Sequence, residues 1–157
     1  MKRKINEMHL EVMSHPENIG LCRLAAATFA SGLPFTVAEI EEVKVAVSEA
    51  VSNCIVHAYR DGQGPISMHL EWLDNDELII EVRDHGTGIV DLEQARQPSY
   101  STDPERMGLG FVFMESFMDE MRVETAVGEG TTIWMRKRAG EQPFRTGNEL
   151  HGTSLDR

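Results

Sequence analysis

The sequence predicts an α+β fold, a two-layer sandwich with helices on one face of a mixed, mostly antiparallel sheet. Three observations carry that expectation. The elements run strand, two helices, two strands, loop, helix, two strands. Two of the strand pairs are joined by tight turns, around Asp74 to Glu77 and around Gly128 to Gly130, which excludes a doubly wound parallel sheet. Between the first strand and these hairpins lies a long stretch with apolar residues at three- and four-residue spacing, a helix that must bury one face on something.

Taken in order, Met8, Leu10 and Val12 alternate with polar neighbours and read as a strand. Ser14 and Pro16 open a helix through Ile19, Cys22, Leu24, Ala26 and Phe29, closed by Gly32 and Pro34. Thr36 stands three residues before Glu39, a capping box for the long helix. Its buried face is expected at Val37, Ile40, Val43, Val47, Val51, Cys54 and Ile55. Gly62, Gly64 and Pro65 break the chain before a hairpin built from 66–72 and 78–82. A short helix is expected at 91–95 and a loop at 97–106, which holds two prolines and no periodicity. A helix at 108–118 and a last hairpin, 121–125 with 131–136, complete a single domain over 1–138. The polar stretch 139–157 has no periodic apolar face and reads as a disordered tail.

The 157 residues suffice for one sizeable core, with 41% hydrophobic and 26% charged residues. A formal net charge of −11 argues against non-specific binding to nucleic acid or to an anionic membrane. No apolar run is long enough to span a bilayer, and the amino terminus lacks a signal-peptide core, so a cytoplasmic protein is expected. Cys22 and Cys54, the only cysteines, fall in helical patterns and read as small buried hydrophobes in a reducing compartment.

Three short segments carry the chemistry. Glu49 and Asn53 are four apart on the long helix, so a carboxylate and an amide share one face, and His57 lies a turn further on. An amide oxygen can ligate magnesium, a hard cation that keeps several waters and takes its other oxygens from phosphate. Asp84 ends an apolar strand, where a carboxylate can accept from an amino group such as adenine N6 and discriminate against guanine. Gly86 and Gly88 follow it and keep side chains away from a turning backbone. Gly108, Leu109 and Gly110 open a helix whose backbone amides can bind phosphate, and Arg106 just before them can neutralise a terminal phosphate. This is not a Walker loop, which needs Gly-Lys-Ser/Thr after a strand. Adenine at one end and a magnesium-bound triphosphate at the other fit the set.

The order and spacing of these segments resemble the ATP-binding fold shared by DNA gyrase, the Hsp90 chaperone, histidine kinases and MutL. Within that superfamily the chain is most similar to the anti-sigma-F factors of spore-forming bacteria, over roughly residues 6–137. The similarity includes the stretches from Val47 to Tyr59, Asn6 to Glu11, Asp91 to Pro98 and Met114 to Asp119. The resemblance implies a histidine-kinase-like ATPase fold and a protein-serine kinase using ATP and magnesium. It implies a homodimer that holds a sporulation sigma factor inactive and phosphorylates a small anti-anti-sigma protein. Glu49 then corresponds to the general base, Asn53 to the magnesium ligand, Arg106 and its loop to a mobile lid, and Arg23 to a partner-contacting arginine. Thr132 or Thr131 lies beside the base site. Met107 departs from the family, where serine stands between the lid arginine and the glycine. Two alternatives remain: a switch kinase for another, stress-response sigma factor, and a binding module whose ATP gates partner affinity without phosphotransfer.

Overall fold

The computed structural model describes residues 1–59, 62–88 and 107–140. The helix expected at 91–95, the loop with Arg106 and the tail beyond Gly140 lie outside the described residues.

The first strand, β1 (Lys4–Met13), turns Met8, Leu10 and Val12 inward, as its alternation requires. The next helix, α1 (Asn18–Ala30), begins later than Ser14 and Pro16 suggest. Ser14 is instead buried, with its hydroxyl accepting from Gly64 N, so it staples the end of β1 to the start of the next strand. Cys22, Ala26 and Ala30 form the buried stripe of α1, whereas Leu24, expected on that stripe, is 65% exposed.

The capping box at the start of α2 (Val37–Asn53) is present in both directions: Glu39 N donates to Thr36 Oγ1, and Thr36 N donates to Glu39 Oε1. Val43, Ala46, Val47, Ala50 and Val51 are fully buried, while Val37, in the first turn, is exposed. The small residues of α1 and the valines of α2 let the two helices pack closely on the sheet.

Four further strands follow: β2 (Pro65–Leu73), β3 (Glu77–Asp84), β4 (Glu120–Ala126) and β5 (Gly130–Arg138). Helix α3 (Met107–Phe117) precedes β4 and packs beside α2. The sheet order is β1-β2-β3-β5-β4. Every pairing among the described residues is antiparallel, so among them the expected mixed sheet has no parallel part. One face carries Ile66, Met68, Leu70, Leu78, Ile80, Val82, Ile133 and Met135 into the core beneath the helices. Among the described residues no element covers the other face.

Lys137 is the charged residue on the otherwise uncharged inner face of β5. It is 1% exposed, and its ammonium bonds Glu42 Oε2 at 2.7 Å and the carbonyl of Phe117. A cation at the carbonyl end of α3 meets the negative end of the helix dipole, so one buried group ties α2, α3 and β5 together.

Candidate functional site

The site begins where α2 stops being an α-helix. Cys54–Ala58 forms one π-helical turn, whose wider winding leaves the last carbonyls without partners inside the helix. The segment after β3 supplies those partners. Thr87 N donates to Ala58 O at 3.0 Å and Thr87 Oγ1 to His57 O at 3.4 Å. Gly86 lies so near this turn that a Cβ would stand 2.1 Å from Ala58 O. At Gly88, with φ +75°, a Cβ would stand 2.4 Å from Ala126 O, and Gly128 N donates to Thr87 O. Both glycines of the Asp84–Gly88 segment are therefore demanded by close backbone approach, which seats the end of β3 between α2 and the β4–β5 turn.

Asp84 is 5% exposed and held by two backbone amides. Its Oδ1 accepts from Gly86 N at 2.9 Å and Thr131 N at 3.2 Å, and the buried Cys54 thiol lies close enough to feel its charge. The two amides fix Oδ1 and leave the other oxygen outside their reach. Burial, and next the Asp84 charge, push the Cys54 thiol well above its ordinary value. Tyr59 bridges the site's rim: its hydroxyl donates to Pro65 O and accepts from His85 N.

Helix α3 completes the site. A Cβ on Gly110 would lie 3.0 Å from Glu49 Oε2 and 3.5 Å from Asn53 Oδ1, so this glycine lets α3 start directly against the acid–amide face of α2. Asn53 is 8% exposed, and among the described residues its Nδ2 has no hydrogen-bond partner. A buried amide beside the glycine-rich helix start, with Oδ1 and Nδ2 3.5 and 3.6 Å from a Cβ at Gly110, can offer its oxygen to a hard cation. Glu49 is half-buried a turn away.

The structure thus brings Glu49, Asn53 and Gly110 together and joins them through Cys54 to Asp84, Gly86 and Gly88. His57 is buried at the π-helical turn, Leu109 is exposed at the start of α3, and Gly108 is in its first turn. Thr132 pairs with Arg83 and, together with Thr131, lines a cavity that Asp84 shares; the hydrogen bond to Asp84 Oδ1 comes from the backbone N–H of Thr131. The π-helical turn itself has no local sequence signal, since the apolar periodicity continues through Ile55.

A family model described as histidine kinase-like ATPase domain matches residues 12–137. An anti-sigma F factor from Caldanaerobacter subterraneus subsp. tengcongensis is 45% identical over 137 residues, 86% of this chain and 95% of that protein. One from Clostridium acetobutylicum is 44% identical over 135 residues, 85% of this chain and 94% of that protein. The chain belongs to the anti-sigma F factor family. Solved structures agree at the level of fold. The RsbU and RsbW domains of a Mycobacterium tuberculosis protein align with TM-score 0.62 and 18% identity, covering 85% of this chain and 32% of that one. A blue-light activated histidine kinase from Erythrobacter litoralis aligns with TM-score 0.56 and 19% identity, covering 80% and 42%.

Against the anti-sigma F factor family, Arg23 is the remaining residue to locate. It projects from the exposed side of α1, with Nη1 3.5 Å from the Ser48 hydroxyl, one residue before Glu49. Leu21 and Leu24 flank it, 49% and 65% exposed, and Val45 is exposed on α2. A cation among solvent-facing aliphatic side chains lies on the α1–α2 surface adjoining the acid–amide helix. Among the described residues, no helix is long and apolar enough to cross a membrane.

Proposed function

We propose that this chain is an ATP-dependent protein-serine kinase and anti-sigma factor. On this reading it binds a sporulation sigma factor, holds it inactive, and phosphorylates a serine of an anti-anti-sigma protein. The observation that carries the proposal is the approach of Gly110 to Glu49 and Asn53, because it sets a potential base, an oxygen ligand and phosphate-binding amides around one point.

The nucleotide's adenine amino group would donate to the Asp84 oxygen that Gly86 N and Thr131 N leave unengaged. Asn53 Oδ1 would ligate magnesium, which when bound neutralises the phosphate charge. The amides opening α3 would take phosphate oxygens, and Arg106, outside the described residues, would meet the terminal phosphate. Glu49 would accept the proton of the incoming serine hydroxyl as that oxygen attacks. Nucleotide binding alone does not need a carboxylate in this position, which favours phosphotransfer over a purely ATP-gated binding module. Arg23 with Leu21 and Leu24 offers the partner surface, and the protein would act in the cytoplasm as a homodimer.

The nucleotide half of the proposal is tested by calorimetry. Asp84→Asn places a donor opposite the adenine amino group, at a cost on the order of 1–3 kcal/mol, so ATP affinity is expected to fall about tenfold or more. Asn53→Ala is expected to remove the magnesium dependence of binding. Wild-type affinity in Asp84→Asn contradicts the adenine assignment, and an undiminished magnesium effect in Asn53→Ala contradicts the ligand assignment.

A further inference from the structure

The uncovered face of the sheet carries a second cluster of chemistry-bearing side chains. In the β1–β2 register Glu7 stands directly opposite Glu71, and His9 directly opposite His69. Glu7 and His9 are two apart on β1, as are His69 and Glu71 on β2, so the four form a two-by-two array on one face. Two carboxylates facing each other across a ladder repel unless a cation lies between them. In the structure that cation is Lys4, whose Nζ is 2.9 Å from Glu7 Oε2 and 2.9 Å from Glu71 Oε1. His69 Nε2 reaches the same two carboxylates, at 3.0 Å and 3.8 Å.

One ligand atom each from Glu7, His69 and Glu71 lies within 4.8 Å of the others, a spread that one metal ion can draw together. His9, the fourth member of the array, stands beside these three, its ring centroid 5.9 Å from that of His69. One imidazole nitrogen and two carboxylate oxygens, with water in the fourth position, are a donor set for zinc and its neighbours, whereas magnesium prefers an all-oxygen shell.

We propose that Glu7, His69 and Glu71 form a binding site for a divalent cation of the zinc class, with Lys4 as a built-in competitor for the two carboxylates. Such an ion would clamp the edge strand β1 to β2. The site lies on the opposite face of the sheet from Glu49, Asn53 and Asp84, and it is separate from the proposed nucleotide chemistry. The register pairs His69 with Glu81 of β3, and Glu11 and Arg83 are the next charged residues along that face.

The test is a titration of the metal-free full-length chain with Co²⁺, followed by the visible absorption of tetrahedral cobalt, and with Zn²⁺ in competition with a chromophoric chelator. Excess magnesium is present throughout. Wild type should bind one equivalent of either ion. His69→Ala should bind about tenfold or more weakly, since it loses one of three protein ligands. Glu71→Gln, which preserves shape, should weaken binding comparably. Lys4→Met should bind more tightly than wild type. Absence of saturable binding in wild type, equal affinity in wild type and His69→Ala, or binding by Lys4→Met no tighter than wild type overturns the proposal.

Discussion

At the residue scale the decisive groups are those whose surroundings leave them one task. Asp84 is buried, its Oδ1 is occupied by two backbone amides, and a cysteine thiol leans on it. Cys54 is shaped by the same contact: burial first, and then the neighbouring carboxylate, keep its proton on. Cys22 is pushed in the same direction by burial alone. Thiolate is the reactive form, so both thiols of the native protein should alkylate with iodoacetamide far more slowly than after denaturation. Because burial is the leading cause at Cys54, Asp84→Asn should still protect it. Fast labelling of the folded protein, measured by mass spectrometry, contradicts this description of the pocket wall. Some of this was legible in the chain: Glu49 and Asn53 share a face by helical spacing alone, and Asp84 is marked by ending an apolar strand. The backbone bond from Thr131 N to Asp84 was not, because it depends on how β3 pairs with β5.

At the element scale, two glycines with similar sequence signatures have different tasks. A side chain at Gly86 would meet the Ala58 backbone, which cannot yield without moving the π-helical turn. Gly86→Ala should therefore cost about 1–3 kcal/mol, the usual penalty of overpacking. At about 2–4 °C for each kcal/mol in a chain of this size, a calorimetric scan will register it. A side chain at Gly110 would meet the movable ends of Glu49 and Asn53, and alanine is the better helix former. Gly110→Ala should hold or raise the melting temperature while displacing Glu49 and lowering phosphotransfer. Equal melting shifts in the two variants contradict this division. The capping box at Thr36 and Glu39 and both hairpins could be read in advance because their signals are local. The π-helical turn could not, since it depends on Thr87 and Gly86, some thirty residues away. The start of α1 was misleading for a similar reason, as Ser14 is engaged by Gly64 N across the sheet.

At the scale of the whole molecule, an antiparallel sheet carries its helices on one face. The strand order β1-β2-β3-β5-β4 sets the end of β3 beside the first turn of β5, which is how Thr131 reaches Asp84. Lys137 fixes the far end of α3, so the start of that helix lies along α2 at Glu49 and Asn53. The fold class was legible because hairpins and helical periodicity leave few alternatives; the purely antiparallel pairing needed the partner of β5 to be known. Phosphotransfer is the central claim, and one measurement addresses it most directly. The chain is incubated with magnesium, labelled ATP and a candidate anti-anti-sigma protein, and phosphoserine formation is timed for wild type and Glu49→Gln. The account predicts phosphoserine with wild type and a rate about 10²–10⁴-fold lower with Glu49→Gln at near-normal ATP affinity. No phosphoserine with wild type under saturating ATP, or an unchanged rate in Glu49→Gln, would contradict it.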